Sequence, residues 1–465
     1  MPAFDPTLLA AWTGGRWSPC PGGAPTGFCA DSRRLEAGQA FVALKTGRRD
    51  GHDFVAQAES AGARVAIVSR PVDGVRIPQL VVADPLTALQ QIAREHRRSF
   101  KGTVVGITGS AGKTSTKELL ALVTGGEAEG VIATIGNLNN HIGVALTLTR
   151  IEPARHKVAV VEAGISAPGE MAVLSSMIEP DAALVTMVGP AHLEELGGME
   201  GVAREKAVLL KSLKDKSRAF FPSSCSAFEP FVILEREKAV VLEPQGAGIT
   251  PTRGRMPFSV SHGPMGTKIS LVDRGSSVEV ALRRVSDGMA QNAALAVAVA
   301  LRLGVPVAQI RERLGRWNPA PLRGEWRMEP GRQLYLDCYN ANPASMADAL
   351  QVFGDAVPAG APRLFVIGCM EELGLESRRY HEELGRSLDL REGDQLVVVG
   401  AQAAAVRQGA LGAGADPLLV TVADSVAPIA DRLAAFKGYI FVKGSRRHEL
   451  ERAFTSAPHA EVAHA

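Results

Sequence analysis

The sequence predicts an α/β protein of three domains: a small α/β N-terminal domain, a central phosphate-loop domain on a parallel sheet, and a C-terminal Rossmann-like domain. The length of 465 residues exceeds what a single hydrophobic core usually serves. Short apolar runs alternate with helical patterns in three successive blocks, and a Gly-rich turn opens the second block. We place the domains at residues 1–100, 101–318 and 319–465.

The first block predicts three strands and one helix, and Lys101-Gly102 forms the joint to the second block. The strands are expected at 41–44, 64–69 and 79–84, and the helix runs from Leu86 to about Phe100.

The second block predicts strands at 157–164 and 182–189, each followed by a helical pattern. Between 220 and 285 the runs shorten and are punctuated by Gly and Pro, with apolar stretches at 268–273 and 277–283. This pattern of short, interrupted runs indicates a small antiparallel sheet appended to the central domain.

The third block alternates strands with helices, which is the pattern of a parallel, doubly wound sheet. Its predicted strands lie at 333–337, 363–368, 395–400, 418–424 and 438–444.

The Gly-rich turn from Gly106 to Thr114 has the composition of a phosphate-binding loop. Glycines allow backbone N–H groups to close around an anion at a helix N-terminus, Lys113 would reach the outer phosphates, and the Thr114 hydroxyl would ligate Mg²⁺. The general pattern needs a glycine where Ile107 stands, so this loop is a variant. A strand-to-helix turn without a ligand is the alternative. The candidate ATP contacts are Gly109, Ser110, Ala111, Gly112, Lys113, Thr114 and Ser115.

Polar residues after the central strands are candidates for the same site, because ligands bind beyond the carboxyl ends of parallel strands. Glu162 and His192 could ligate Mg²⁺, although a lone histidine is more often structural. The amides of Asn137, Asn139 and Asn140 could bond phosphate or a polar ligand group. A plain Asn-rich turn explains them equally well.

Composition excludes several classes of protein. A net charge of +2 and 5% aromatic residues argue against a nucleic-acid surface. The five cysteines show no CxxC spacing, so neither a zinc site nor a disulfide framework is expected, and they are interpreted as reduced thiols. The N-terminal stretch lacks the pattern of a signal peptide, and no apolar run reaches about 18 residues. We therefore expect a cytoplasmic protein without membrane insertion.

Six ordered segments together resemble the Mur ligases, which are ATP-dependent amide-bond synthetases of bacterial cell-wall assembly. The segments are TGSAGKTSTKE, GNLNNHIGVALTL, VVEAGISAPGEM, AHLEELGG with the following AREK, DCYNANPASM and VKGSRRHELE. The family also uses the shortened phosphate loop. Residues 31–63 together with DCYNANPASM are most similar to the branch that joins D-alanyl-D-alanine to a UDP-N-acetylmuramoyl-tripeptide.

The resemblance implies a monomeric enzyme with ATP and Mg²⁺ as cofactors. It also implies that the domains bind different substrates. The N-terminal domain would hold the uridine nucleotide end of the sugar substrate through Ser32, Arg33, Asp50, Gly51 and His52, although a DG turn and a surface charge pair explain these residues equally well. The third block would bring the second amino substrate. Further implied ATP contacts are Asn292, Arg323, Asp337 and Asn340; implied substrate contacts, besides the three asparagines, are Lys443, Ser445 and Arg446.

The resemblance also implies roles in catalysis and metal binding. Lys113, His192 and Lys206 would be catalytic, and Thr114, Glu162, His192 and a carbamylated Lys206 would lie beside the metal.

Lys206 stands on an apolar helical face. At helical spacing it shares that face with Val202, Leu210 and Leu213. Desolvation would lower its pKa and leave neutral amine able to react with CO₂. The alternative is that the side chain reaches out of the apolar stripe into solvent with its stem packed.

The chain departs from the family pattern at two places. Many relatives carry a His-Asn pair ahead of the Asn that contacts adenine, whereas this chain has Gly288-Met289 before Asn292, so only Asn292 of that pattern is retained. Relatives often have an aspartate where Cys369 stands, and Cys369 has no assigned role.

Three alternatives compete with this interpretation. A ligase that adds the third amino acid, or one that extends folate with glutamate, would share the central block but not the N-terminal and DCYNANPASM matches together. A kinase or regulatory GTPase would share the loop, but no N-K-x-D motif is present. A non-catalytic paralogue would not need Lys113, Glu162, His192 and Lys206. The third residue of the peptide, diaminopimelate or lysine, stays open.

Overall fold

The computed structural model describes residues 4–47, 49–245, 254–263 and 266–454. Strands and helices alternate along the chain and form three separate sheets of five, nine and six strands. The α/β class and the three-sheet architecture expected from the sequence are confirmed. The end of the predicted third domain, 455–465, lies outside the described residues.

The N-terminal sheet has the order β1-β5-β4-β3-β2, with β1 antiparallel to β5 and the other neighbours parallel. The three predicted strands correspond to β3, β4 and β5, and the predicted helix corresponds to α3. The elements are α1 (Pro6–Thr13), β1 (Arg16–Ser18), β2 (Phe28–Cys29), β3 (Ala40–Val42), α2 (Val55–Ser60), β4 (Val65–Val68), β5 (Gln79–Val81) and α3 (Pro85–Ser99).

Helix α3 fastens the N-terminal sheet to the central one. Asp84 caps it by accepting a hydrogen bond from the Thr87 N–H at 2.7 Å. Near its other end, the buried guanidinium of Arg97 donates to the Ile178 carbonyl and to Asp181, both at 2.9 Å. One continuous apolar cluster includes side chains of both sheets. The boundaries at 1–100, 101–318 and 319–465 therefore stay predictions.

The central sheet has the order β14-β13-β12-β11-β10-β9-β6-β8-β7. Its elements are β6 (Thr103–Thr108), α4 (Lys113–Val123), β7 (Val131–Ala133), α5 (Gly143–Thr149), β8 (Val158–Glu162), α6 (Glu170–Ile178), β9 (Ala182–Val185), α7 (Leu193–Leu196), α8 (Met199–Lys211), β10 (Ala219–Pro222), α9 (Glu229–Arg236), β11 (Val240–Pro244), β12 (Arg255–Gly263), β13 (Gly266–Asp273), β14 (Ser276–Leu282), α10 (Asp287–Arg302) and α11 (Val307–Leu314).

The antiparallel strands are not a separate sheet. β13 pairs antiparallel with both β12 and β14, and β13 and β14 correspond to the predicted stretches at 268–273 and 277–283, but β12 also pairs in parallel with β11. The three strands therefore continue the central sheet at one edge. The prediction of an appended sheet was wrong on this point, because alternation along a strand does not reveal which edge that strand joins.

The C-terminal sheet has the order β15-β16-β20-β17-β18-β19 and is parallel except for β15. All five predicted strands are present; β15 was missed because its side chains are partly exposed and carry no clear apolar pattern. The elements are β15 (Glu325–Glu329), β16 (Arg332–Leu336), α12 (Pro343–Ala356), β17 (Arg363–Gly368), α13 (Ser377–Ser387), β18 (Gln395–Val399), α14 (Ala403–Gly412), β19 (Val420–Ala423), α15 (Ala430–Ala435) and β20 (Gly438–Lys443).

Two expectations about the whole chain can be compared with the described residues. All five cysteines are free, as their spacing predicts. Within the described part of the chain, every helix is too short or too polar to span a bilayer.

A buried ion pair is expected to stabilise the C-terminal sheet. Arg363 and Asp394 are 1% and 4% exposed at their side chains, and Arg363 Nη2 lies 2.5 Å from Asp394 Oδ2. Because Asp394→Ala would leave the guanidinium charge buried without its partner, we expect a loss of about 3–5 kcal/mol in the free energy of unfolding. Urea denaturation followed by circular dichroism measures this loss. Arg316→Ala, which breaks an exposed helical pair with Glu312, is the control and should change little.

Candidate active site

The Gly-rich turn between β6 and α4 can be built only with glycine at two of its positions. Gly109 has φ 153° and Gly112 has φ 78°. A Cβ atom on Gly109 would lie 1.8 Å from Thr186 Oγ1, and one on Gly112 would lie 2.4 Å from Asn292 Nδ2. Both positions therefore combine a left-handed backbone with a close neighbour, which excludes other residues.

The loop is held in place by the segment that follows β9. Ser110 N–H donates to the Met187 carbonyl at 3.0 Å, and Ser110 Oγ donates to the Gly189 carbonyl at 2.8 Å. Thr186 Oγ1 donates to the Ala111 carbonyl at 2.5 Å. A cavity of about 460 Å³ lies against the N-terminus of α4 and is lined by residues 110–115. A rigid loop at a helix N-terminus is suited to bind phosphate.

Glu162 supplies an acidic group of this cavity beside Thr114. Its Oε1 accepts hydrogen bonds from Thr114 Oγ1 at 3.3 Å and from Asn139 Nδ2 at 2.8 Å. Its Oε2 is buried without a hydrogen-bond partner in the structure, and the residue is 1% exposed. A buried carboxylate oxygen with free lone pairs, next to a hydroxyl, fits a hard cation. Among the described residues, no three His, Cys, Asp or Glu side chains form a metal cage, and a Mg²⁺ ion bound to ATP phosphates needs none.

Lys113, which is partly buried, and Lys206, which is buried, lie close enough for their charges to interact. Lys113 Nζ donates to the Gly109 carbonyl at 2.9 Å. Desolvation lowers the pKa of Lys113, and the charge of Glu162 opposes this shift. Desolvation also lowers the pKa of Lys206 well below its ordinary value, and the positive charge of Lys113 adds to the effect. A nearby anion would stabilise the charged form of either amine.

Lys206 lies on the apolar face of α8, as its spacing predicts. The residue is 2% exposed, and Val202, Leu210 and Leu213 on the same face are buried. This burial contradicts the alternative in which the amine reaches bulk solvent. The pKa of the nearby Cys225 thiol is raised to about 12 by burial, so that thiol stays protonated.

The C-terminal domain closes over the phosphate loop through the segment after β16. Asn342 Nδ2 donates to the Ser110 carbonyl at 3.2 Å. Arg323 stacks over the ring of Tyr339 at 3.9 Å. Both residues line the cavity of about 460 Å³ at the phosphate loop, which we call the nucleotide cavity. Asn340 lines the same cavity. The second asparagine of DCYNANPASM, Asn342, was missed, because the motif does not show which of its amides faces another domain.

Lys443 supports Asp337. Its Nζ lies 2.5 Å from Asp337 Oδ2, and the side chain is 1% exposed. This pairing holds the Asp337 carboxylate at the wall of the nucleotide cavity. The expected direct contact of Lys443 with a substrate stays a prediction.

A larger cavity of about 990 Å³ adjoins the phosphate loop and is lined by all three parts of the chain. Lys113 lines both this cavity and the nucleotide cavity, as do Asn137, Asn139, Tyr339 and Asn340. Other residues lining the larger cavity are Leu86 and Gln90 from the N-terminal block, Asn137, Asn139, Asn140 and His192 from the central block, and Asn340, Glu372 and Arg446 from the C-terminal block.

His192 is paired with a carboxylate from the C-terminal domain. Its Nδ1 lies 2.8 Å from Glu372 Oε2, and both residues have left-handed backbones. The hydrogen bond from His192 holds the pKa of Glu372 below its ordinary value. Glu372 was missed as a functional candidate, although it belongs to the segment that departs from the family pattern.

Three candidate substrate residues have polar partners within the protein. Asn140 Oδ1 accepts from the Gly143 N–H at 2.8 Å at the start of α5. Ser445 is buried, and its Oγ accepts from the Glu371 N–H at 3.2 Å. Arg446 pairs with Glu451 while facing the larger cavity.

The N-terminal candidates lie in a separate cluster that lines neither cavity. Asp50 accepts from His52 Nδ1 at 2.6 Å, and His52 Nε2 accepts from the Ser69 N–H at 2.9 Å. Ser32 Oγ donates to Gln57 at 2.9 Å. The remaining two candidates are Gly51, where a Cβ atom would lie 2.6 Å from the Leu44 backbone, and Arg33, which pairs with Asp31. A uridine site at these residues stays a prediction.

The fold and the site together define a class: a three-domain α/β enzyme whose phosphate loop lines a smaller cavity and adjoins a second, larger one. Family models agree with this description. Residues 26–97 match the Mur ligase family catalytic domain, residues 107–300 the Mur ligase middle domain, and residues 322–446 the Mur ligase glutamate ligase domain.

Similar proteins agree as well. The UDP-N-acetylmuramoyl-tripeptide–D-alanyl-D-alanine ligase of Escherichia coli K12 is 35% identical over 81% of each chain. MurF from Acinetobacter baumannii has a TM-score of 0.84 at 30% identity over 98% of each chain. MurF ligase from Thermotoga maritima in complex with ADP has a TM-score of 0.76 at 28% identity over 92% of this chain and 96% of that one.

The chain belongs to the Mur ligase family, as the six motifs indicate. The chain is therefore not a generic phosphate-loop kinase or a regulatory GTPase.

Lys113→Ala is expected to abolish turnover while the protein stays folded. The change removes a positive charge between the two cavities and no core packing, and deleting a positioned charge lowers kcat by about 10³-fold. ADP release measures the activity, and circular dichroism checks the fold. Lys211→Ala, at an exposed lysine of α8, is the control. Full activity of Lys113→Ala would contradict an ATP site at this loop.

Proposed function

We propose that this protein joins D-alanyl-D-alanine to a UDP-N-acetylmuramoyl-tripeptide with hydrolysis of ATP to ADP and phosphate. The observation that carries the proposal is the position of Lys113, which lines both the nucleotide cavity and the larger cavity. A lysine at that position would neutralise a phosphoryl group as it passes from ATP to a carboxylate. The names of similar proteins supply the identity of the two substrates.

The reaction follows from the chemistry of its substrates. A carboxylate does not react with an amine in water, so the terminal carboxylate of the tripeptide would first take the γ-phosphoryl group of ATP, which leaves ADP and an acyl phosphate. The amine of the dipeptide then attacks the acyl carbon, forms a tetrahedral intermediate and expels phosphate as the amide forms. The protein contributes positioning and charge neutralisation more than covalent chemistry.

The residues around Glu162 would hold Mg²⁺. Thr114 supplies a hydroxyl and Glu162 the buried Oε2 that lacks a partner. Bound Mg²⁺ would offset negative charge on the phosphates. His192 Nδ1 is paired with Glu372, so a metal contact of His192 would be made through its Nε2.

Lys206 would contribute as a carbamate. Its neutral amine would attack CO₂, forming an N–C bond and releasing a proton to solvent, which converts a buried neutral amine into a carbamate anion. The low pKa caused by burial and by Lys113 favours the neutral amine that this step needs. The positive charge of Lys113 would stabilise the negative charge of the carbamate.

Full ADP release should require both substrates. We expect turnover with ATP, a UDP-muramoyl tripeptide and D-alanyl-D-alanine together, and little when either acceptor is omitted. The assay is run with the diaminopimelate and the lysine tripeptide in parallel, which also identifies the third residue. Equal ATP hydrolysis without the dipeptide, or equal use of a single amino acid, would show that the assignment is wrong.

Lys206→Ala should be nearly inactive and partly rescued by added short-chain carboxylates, because these can replace the carbamate in the space left by the side chain. Lys206→Arg keeps a positive charge and fills that space, so it should not be rescued. Incubation with ¹³CO₂ should give a carbamate signal in the ¹³C spectrum of the unaltered protein that is absent from both variants. A fully active Lys206→Ala enzyme would overturn this role.

A further inference from the structure

The departure at Gly288 places a carboxylate from another domain in the nucleotide cavity. Asp348, on α12, accepts hydrogen bonds from the Gly288 N–H at 2.9 Å and from Ser286 Oγ at 2.5 Å. A Cβ atom on residue 288 would lie 2.9 Å from Asp348 Oδ2. Because this is shorter than a normal contact, a side chain at position 288 would push the carboxylate away. Glycine at position 288 and aspartate at position 348 therefore depend on each other.

Asp348 lies beyond the phosphate-binding end of the cavity. Asn292 touches the phosphate loop at Gly112, and Gly288 lies one helical turn before Asn292 on the same face of α10. Both Gly288 and Asp348 line the cavity that contains the loop. A nucleotide with its phosphates on the loop and its body along this face of α10 would bring its base towards Asp348.

The surroundings of Asp348 suit a base better than a sugar. Met289, Trp326 and Val352 contribute apolar surface to the same cavity, which also has polar lining residues such as Ser286. Apolar surface combined with placed polar groups is typical of a site for a planar heteroaromatic ligand. Each carboxylate oxygen holds one hydrogen bond from the protein and has a second lone pair to offer.

We propose that Asp348 is a specificity residue that accepts a hydrogen bond from the 6-amino group of adenine. An ionised carboxylate only accepts hydrogen bonds, so it favours the amino group of adenine. It disfavours the 6-oxo group of hypoxanthine or guanine, which is also an acceptor. The inference rests on the proposed use of ATP and adds the group that selects this base.

Nucleotide binding by calorimetry tests the inference without turnover. Binding of ATP, inosine triphosphate, purine riboside triphosphate and 2′-deoxyATP is measured with the unaltered protein and with Asp348→Asn. The unaltered protein should bind ATP at least about tenfold more tightly than either nucleotide without the amino group, which is the expected size of a hydrogen bond to a charged group. In Asp348→Asn this preference should fall by about tenfold, because the amide can also donate a hydrogen bond to a 6-oxo group.

Two further variants separate base recognition from other effects. Asp355→Asn removes an exposed charge from the same helix and should keep the preference for ATP. Gly288→Ala keeps an aspartate at position 348 but should displace its carboxylate, which would lower the preference for ATP. It therefore tests the inference even if Asp348→Asn does not fold, which thermal unfolding would show.

Two results would overturn the inference. Equal weakening of all four nucleotides by Asp348→Asn would mean that Asp348 only docks the two domains. A loss for ATP without a loss for 2′-deoxyATP would mean that it contacts the ribose. Failure of the ligase assay, with Asp348-dependent selection of ATP intact, would reject the proposed function and not this inference.

Discussion

The close approach of the phosphate loop to its neighbours is the constraint on which the site depends. Gly109 and Gly112 leave no room for a Cβ atom against Thr186 and Asn292. The loop can therefore lie deep between β9 and α10, where Lys113 reaches two cavities at once. Any larger residue at these two glycines would push the loop outwards and separate the lysine from the remaining groups of the site.

Contacts between domains converge on this loop. Asn342 from the C-terminal domain donates to the loop carbonyl of Ser110, and Glu372 pairs with His192 at the opposite side. Asp348 accepts hydrogen bonds near the start of α10. Each contact joins a polar group of the C-terminal domain to the central domain close to a cavity. The arrangement of the domains and the shape of both cavities are therefore linked, and enzymes that protect a reactive intermediate from water commonly close in this way.

Desolvated charged groups are the second feature that characterises the site. Lys113 and Lys206 are desolvated beside one another, and Glu162 keeps one oxygen without a partner. Such groups are costly in a stable fold unless a ligand compensates them. Phosphate, a cation and a carbamate would together supply that compensation. The charged groups of the site therefore have fewer compensating partners in the protein alone than they would have with the proposed substrates bound.

Local patterns in the sequence by themselves determined the phosphate loop, the three α/β blocks, the family and most strands, because these depend on residue types at fixed spacing. The burial of Lys206 also follows from its helical spacing. Only the tertiary structure decided that β12 continues the central sheet, that Lys443 pairs with Asp337, and that the N-terminal candidates lie away from both cavities. It also brought Asp348 to Gly288 across 60 residues of chain. Pairings between distant segments arise from packing, which local periodicity does not encode.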